Sequence, residues 1–415
     1  MLKAVKGTRD IAPPASAVWN RVEAVAREVF RTYNYQEIRT PIFEETGLFV
    51  RGVGEETDIV NKEMYTFDDH GSSLTLRPEN TASVMRAYME HRMDQAPGLT
   101  KLYYIGPMFR RERPQKGRYR QFYQIGAETI GSDSAAADAE VIEMTVEILR
   151  RSGLSGFQLL INSVGDHNCR PIFVQALREK LKDVASTMCG DCQRRVETNP
   201  LRVLDCKAPE DQPIIATLPS ILDYLCADCL AHFDLVRSYL TERGIAFEVR
   251  PRLVRGLDYY MRTTFEVVHG SLGAQNSVLG GGRYDGLAES LGSRVAAPGI
   301  GFSIGEDRLV MSVEKEHPGE YGHVLDLYLA AMGDAAVRHC GLLAGELRAK
   351  GITVESGFGE KLKRSLELAN KQGARFCLIL GENELAAGNY TLKDMKSGVQ
   401  ETVNREELLR RMGIQ

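Results

Sequence analysis

Between Arg110 and Arg120 the chain holds six basic residues, Arg110, Arg111, Arg113, Lys116, Arg118 and Arg120, against one acid, Glu112. A guanidinium fork matches two phosphate oxygens at once, so this density of arginine suits phosphate recognition, with a charged surface hairpin as the plainer reading. A second constellation is Arg255-Gly256-Leu257-Asp258-Tyr259-Tyr260. Arginine, acid and paired tyrosines on one turn suit a small polar pocket, or else a packed tyrosine pair with charges outside it. Glu79 and Thr81 follow Arg77-Pro78 and open a helical pattern. They can reach a ligand from there, or simply cap the first turn. Gly280-Gly281-Gly282 allows close backbone approach and suggests the floor of a small-ligand site. The Gly-Lys-Ser/Thr ending of a P-loop is missing. Gly299, Gly301 and Gly305 lead to Arg308, whose place in a first helical turn suits a phosphate.

Cysteines supply another candidate chemistry. Cys189-x-x-Cys192 and Cys226-x-x-Cys229 have zinc-ligand spacing within each pair, with Cys206 between the pairs. The gap between the pairs is long, so structural zinc at Cys189, Cys192, Cys226 and Cys229 and free buried thiols are both open readings.

The elements that must position these residues follow from periodicity. Leu102–Ile105 and the alternating Gln121–Ile125 read as two strands of a hairpin around the basic loop, with Gly106 opening that loop. Helical spacing marks Ala17–Tyr33, the stretch after Thr81, Ala135–Ser152 and Pro171–Val184. Strands are expected at Tyr35–Pro41, Glu63–Phe67, Ser73–Leu76, Gly156–Val164, Phe247–Leu253 and Thr263–Val268. Prolines at 200, 209, 213 and 219 mark residues 185–233 as a small helical insertion. His317-Pro318-Gly319 reads as a linker, and strands and helices alternate from Val324 as in a compact α/β domain.

The whole chain sets bounds. Its 415 residues allow two or three domains, and 43% apolar with 26% charged residues is ordinary globular composition. A net charge of −4 leaves nucleic acid to be held by local basic patches. The first residues lack the apolar core of a leader, no window approaches a membrane span, and eight cysteines suggest reduced thiols in a cytoplasm.

Taken in order, FRRERPQKGRYRQFYQIGAE, RGLDYYMRTTFE, GGGRYDGL and GIGFSIGEDRL resemble the bacterial type of histidyl-tRNA synthetase, a class II aminoacyl-tRNA synthetase family. The resemblance runs from KGTRDI through the C-terminal domain, and RGLDYY is its most specific part. It implies an α+β fold, with a class II antiparallel sheet flanked by helices over 1–184 and 234–318, a helical insertion at 185–233 and an anticodon-binding α/β domain at 323–415. The implied reaction ligates L-histidine to tRNA(His) through a histidyl-adenylate, with ATP as substrate, Mg²⁺ as its ion, and AMP and diphosphate as products. By the same resemblance Glu79, Thr81 and Gln124 hold the α-ammonium, and Glu128 and Tyr260 hold the imidazole beside Tyr259. Arg110 and Arg255 flank the reacting carboxylate and α-phosphate, Arg308 takes the γ-phosphate, and Phe122 and Glu112 meet adenine. Arg113, Gln115, Lys116 and Arg118 face the tRNA acceptor stem. A cytoplasmic homodimer, formed partly through the segment ending at Thr40-Pro41, completes the expectation. Two rivals are a non-catalytic histidine-binding paralogue and a class II synthetase for another amino acid. Arg110, Arg255 and Arg308 speak against the first, Glu128 and RGLDYY against the second.

Overall fold

The computed structural model describes residues 2–115, 117–273, 276–319, 321 and 324–414. They divide into two compact units, residues 1–321 and 322–415.

The first unit is built on an eight-stranded sheet. Its strands are β1 (Gln36–Glu37), β5 (Thr100–Phe109), β6 (Gln121–Ile130), β7 (Gln158–Ser163), β8 (Glu248–Val249), β9 (Met261–Val268), β10 (Ser277–Arg283) and β11 (Gly299–Gly305), in the order β1-β5-β6-β11-β10-β9-β7-β8. All pairings are antiparallel except at the two edges, where the two-residue strands β1 and β8 run parallel to their neighbours. Prolines 41 and 251 shorten the longer edge strands expected at 35–41 and 247–253.

Strand β5 outruns its expectation. It continues through Gly106-Pro107-Met108-Phe109, paired with β6 as far as Phe109↔Gln121. Pro107 is tolerated because its carbonyl turns away from β6 to accept Arg77 Nε at 3.0 Å, so the missing N–H removes no ladder bond. The basic stretch is therefore a tip loop of 110–120 on a long, stiff hairpin.

Side chains alternate across this sheet. Tyr103, Ile125, Ala127, Phe265, Phe302 and Ile304 enter the main core, which the helices Ser16–Thr32, Ala135–Arg151, Ala227–Glu242 and Glu306–Glu316 cover. Leu102, Tyr104 and Met108 point the other way and pack with Val84, Met85 and Tyr88 of the helix Thr81–Glu90. Within the main core Arg283 and Asp138, both fully buried, form an ion pair that His232 joins through Asp138 Oδ2 at 2.8 Å. This triad ties β10 to two covering helices.

A separate three-stranded sheet, β2 (Phe43–Glu45), β3 (Tyr65–Asp69) and β4 (Ser72–Leu76), has the order β2-β4-β3. Beyond β7 and the helix Arg170–Lys182, residues 185–226 hold short helices and 3₁₀ turns and, among the described residues, no strand. The helix Ala227–Glu242 then runs unbroken through residue 233.

The second unit is a mixed five-stranded sheet of β12 (Leu325–Ala331), β13 (Val354–Ser356), β14 (Ala374–Leu380), β15 (Tyr390–Asp394) and β16 (Gln400–Val403), ordered β13-β12-β14-β15-β16. The first three strands are parallel and the last two antiparallel, as the helix-then-hairpin sequence pattern requires. Its last helix starts on a reciprocal cap, Asn404 Oδ1 accepting Glu407 N–H and Glu407 Oε2 accepting Asn404 N–H, each at 2.9 Å. The chain is thus α+β. No single helix among the described residues is long and apolar enough to cross a membrane.

Candidate active site

A cleft of about 490 Å³ opens over the middle of the eight-stranded sheet. Its floor comes from β6, β9, β10 and β11, one wall from the start of the helix Thr81–Glu90, and another from residues 254–260.

At one end the groups are acids and hydroxyls. Glu79 closes the helix Thr81–Glu90, its carboxylate accepting the N–H groups of Thr81 at 2.8 Å and Ala82 at 3.0 Å. Capping and pocket lining thus coincide, because Glu79 also accepts Tyr259 OH at 3.3 Å. Burial raises the pKa of Glu79, and the two N–H groups work against that shift. Gln124, from the returning strand, lines the same end, and its side-chain carbonyl has no protein partner. A buried acceptor left open beside Glu79 suits an ammonium.

Glu128 lies behind this layer. It accepts Thr81 OH at 2.7 Å and Tyr284 OH at 2.6 Å, with Tyr104 OH at 3.5 Å. Burial pushes Glu128 up to about 8, against those hydroxyl bonds. It is reached from the cleft through Thr81 and Tyr104, which line it.

The same cleft also carries three arginines, Arg110, Arg255 and Arg308. Arg255 Nη1 meets Glu266 at 2.7 Å, and Arg255 Nε has no protein acceptor. Arg110 donates from Nε to Pro78 O at 2.9 Å, and its guanidinium stands 5.2 Å from the Phe122 ring. Arg308 reaches Ser277 O at 2.7 Å and Gly117 O at 3.1 Å. The Arg110 and Arg308 bonds go to carbonyls, one-sided anchors that leave the rest of each fork for an anion, while Arg255 is held by the Glu266 carboxylate with Nε open.

Glycines make this density feasible. A Cβ on Gly280 would lie 1.8 Å from Arg255 Nη2, and one on Gly301 would lie 1.7 Å from Glu128 Oε2. The glycine run expected to floor a ligand is a central strand, and the space it leaves is filled by side chains of the site.

The tip loop divides. Arg113 and Gln115 are exposed, and Lys116 lies outside the described residues. Gln115 and Arg118 pair backbone to backbone, at 2.9 and 3.1 Å. Arg118 turns inward to Glu112 at 2.8 Å and lines the cleft with it.

A family model described as histidyl-tRNA synthetase matches residues 7–309, and one described as an anticodon binding domain matches 326–413. The histidine–tRNA ligase of Solibacter usitatus is 72% identical over 413 residues, 99% of each chain. That of Koribacter versatilis is 58% identical, over 98% of this chain and 95% of its own. The chain belongs to the histidyl-tRNA synthetase family. Among solved structures, ligand-free histidyl-tRNA synthetase of S. aureus superposes with a TM-score of 0.81 at 39% identity, covering 99% of this chain and 100% of that one.

Sequence reasoning missed Tyr104, Tyr284 and Glu266. Alternation gives two of them: Phe265 enters the main core, so Glu266 must face the cleft, and Tyr103 likewise fixes Tyr104. Tyr284 lies just past β10, where strand alternation no longer applies.

The expected four-cysteine zinc set needs correction. Cys189 and Cys192 gather with Cys206 and Asp211, while Cys226 and Cys229 gather with Asp166 and Cys169. The pairs open two different helices, Gly190–Thr198 and Ala227–Glu242, and each faces a separate neighbour.

Proposed function

We infer that the acids and hydroxyls of the cleft take L-histidine and its arginines take ATP, in the ATP-dependent attachment of histidine to tRNA. The observation that carries this reading is the open acceptor of Gln124 beside Glu79, within one cleft of 490 Å³ that also holds Arg110, Arg255 and Arg308. Glu79, Thr81 and Gln124 receive the α-ammonium. Tyr259 and Tyr260 enclose the imidazole, and Glu128 holds the hydroxyls that meet it. A pocket built of polar partners rejects apolar amino acids because its own groups would then be left unpaired.

Histidine's carboxylate attacks the α-phosphorus in line, forming a carboxyl–phosphate bond as the bond to diphosphate breaks. Negative charge grows on the phosphoryl oxygens, and fixed arginines already aimed into the cleft stabilise it without reorganising. Arg255 and Arg110 flank that centre, Arg308 meets the γ-phosphate, and Phe122 with Glu112 receives adenine. Glu112 and Glu266 are each engaged by an arginine, a donor set that leaves Mg²⁺ to the ATP phosphates. The adenylate's histidyl group then passes to the tRNA acceptor end, approached by Arg113, Gln115 and Lys116, while Arg118 serves the nucleotide side with Glu112. Residues 1–184 with 234–318 form the catalytic domain, 185–233 its insertion, and 323–415 the anticodon-binding domain. The molecule works as a homodimer in the cytoplasm, with exposed Ile42 and Phe43 continuing the segment after Pro41.

Exchange of labelled diphosphate into ATP, run with each amino acid in turn, tests this. Exchange with histidine alone is expected. Exchange driven by another amino acid would overturn the pocket assignment, and no exchange at all the adenylation.

A further inference from the structure

In both cysteine clusters thiols and a carboxylate converge, at separations that suit thiol hydrogen bonds and equally a shared metal ion. In the first, Cys189 Sγ and Cys206 Sγ stand 3.8 Å apart and Cys206 Sγ is 3.2 Å from Asp211 Oδ2. A disulfide brings its sulfurs to about 2.05 Å. A tetrahedral zinc with Zn–S of about 2.3 Å separates them by about 3.8 Å, the edge of the tetrahedron. In the second, Asp166 Oδ1 lies 3.5 Å from Cys169 Sγ and 3.9 Å from Cys226 Sγ. The four donor atoms of each cluster lie within 4.8 Å of one another.

Charge and surroundings agree. Asp211 is fully buried and, among the described residues, forms no ion pair; thiol and backbone N–H groups hold its carboxylate, a set that a cation would complete. Its other oxygen, Oδ1, accepts the Cys189 N–H at 2.9 Å. Backbone N–H groups also point at sulfur, Ala208 to Cys206 at 3.4 Å and Asp166 to Cys169 at 3.3 Å. Such bonds orient thiolates around a metal. Gly165, at φ +64, leaves the room in which Cys169 Sγ sits, 2.7 Å from where a Cβ would be.

We propose that the chain holds two structural zinc ions, one on Cys189, Cys192, Cys206 and Asp211, the other on Asp166, Cys169, Cys226 and Cys229. Three sulfurs and one oxygen in tetrahedral array select zinc over the oxygen-seeking divalent ions. The first ion pins a lobe of short helices and turns around an apolar cluster that includes Met188, Val196, Val203 and Leu204. That lobe carries Arg202, whose Nη1 donates to Arg255 O at 3.0 Å. The second ion joins the chain where it leaves the sheet after β7 to the point where it returns in the helix Ala227–Glu242. Both ions thus act behind residues 254–260 as positioning elements.

Zinc in the purified full chain is counted by inductively coupled plasma mass spectrometry after passage through metal-free buffer. Two ions per chain are expected, falling to one in Cys206→Ser and to one in Cys226→Ser. Should either variant fail to fold, the wild type decides: a mercurial thiol reagent should release two equivalents of zinc to a chromogenic chelator. Chelated protein should melt lower, by roughly 10 °C. A folded wild type with fewer than two zinc ions, or a Cys189–Cys206 disulfide in place of metal, overturns the proposal.

Discussion

At the scale of single residues, the site depends on where a side chain finds room as much as on its charge. Arg255 rests over Gly280, so Gly280→Ala should disable adenylation nearly as strongly as Arg255→Ala. Diphosphate exchange is expected to fall by about 10²-fold or more in both, the loss seen when one preorganised donor is removed. Circular dichroism should show Arg255→Ala fully folded. Exchange near the wild-type rate in Arg255→Ala would remove that residue from the chemistry. Glu306 offers a test of pH. It is fully buried, neither carboxylate oxygen has a protein partner, and burial, reinforced by Glu23 and Asp307, pushes it up to about 9. A folded pKa above the ordinary 4.5 means that the native state holds the extra proton. Its contribution is then fully present below about pH 4.5 and is lost as pH rises through 9. Glu306→Gln should be more stable than wild type by about 2 kcal/mol at pH 8 and gain little at pH 5, read from denaturant midpoints. Equal gains at both pH values would contradict the assignment. Residue types were legible in the sequence at Arg110, Arg255 and Glu79. The setting of Glu128 was not, since the hydroxyls of Tyr104, Tyr284 and Thr81 reach it from three separate elements.

At the scale of elements, period and punctuation carried most of the fold. The existence of the hairpin around the basic loop, the helix opening at Thr81 and most of the strand–helix alternation after 324 follow from spacing; the full length of β5 and β6 does not. The edge strands were placed but drawn too long, because a two-residue parallel pairing leaves no alternation by which to read its ends. The partners of the cysteines were not legible, since Asp166-x-x-Cys169 is a pattern that any loop can show. One long-range element contact was likewise hidden: Arg283, Asp138 and His232 meet from β10 and two helices. Removing one member of a buried ionic set leaves the others charged without a partner, at about 3–5 kcal/mol. Arg283→Ala should therefore destabilise the fold by that order, read from denaturant unfolding, whereas Arg31→Ala, whose pair with Glu28 is exposed, should leave stability nearly unchanged. A midpoint in Arg283→Ala that matches Arg31→Ala would show the triad to be idle.

At the scale of the molecule, Phe43 and Phe67 stand half-exposed on the small sheet with ring centroids 6.4 Å apart, next to Ile42. Paired aromatics left in water beside the segment after Pro41 suit a subunit contact. Phe43→Glu should shift sedimentation from dimer toward monomer by at least tenfold in dissociation constant, and a wild type that sediments as a monomer would refute the assembly. The glycine-spaced floor has a further consequence, for inhibitor resistance. A compound seated against Arg255 presses on a wall whose backing positions cannot gain even one methyl group without evicting the arginine. Escape by substitution at Gly280 would remove the target's own activity along with the drug, so resistance must arise elsewhere around the cleft.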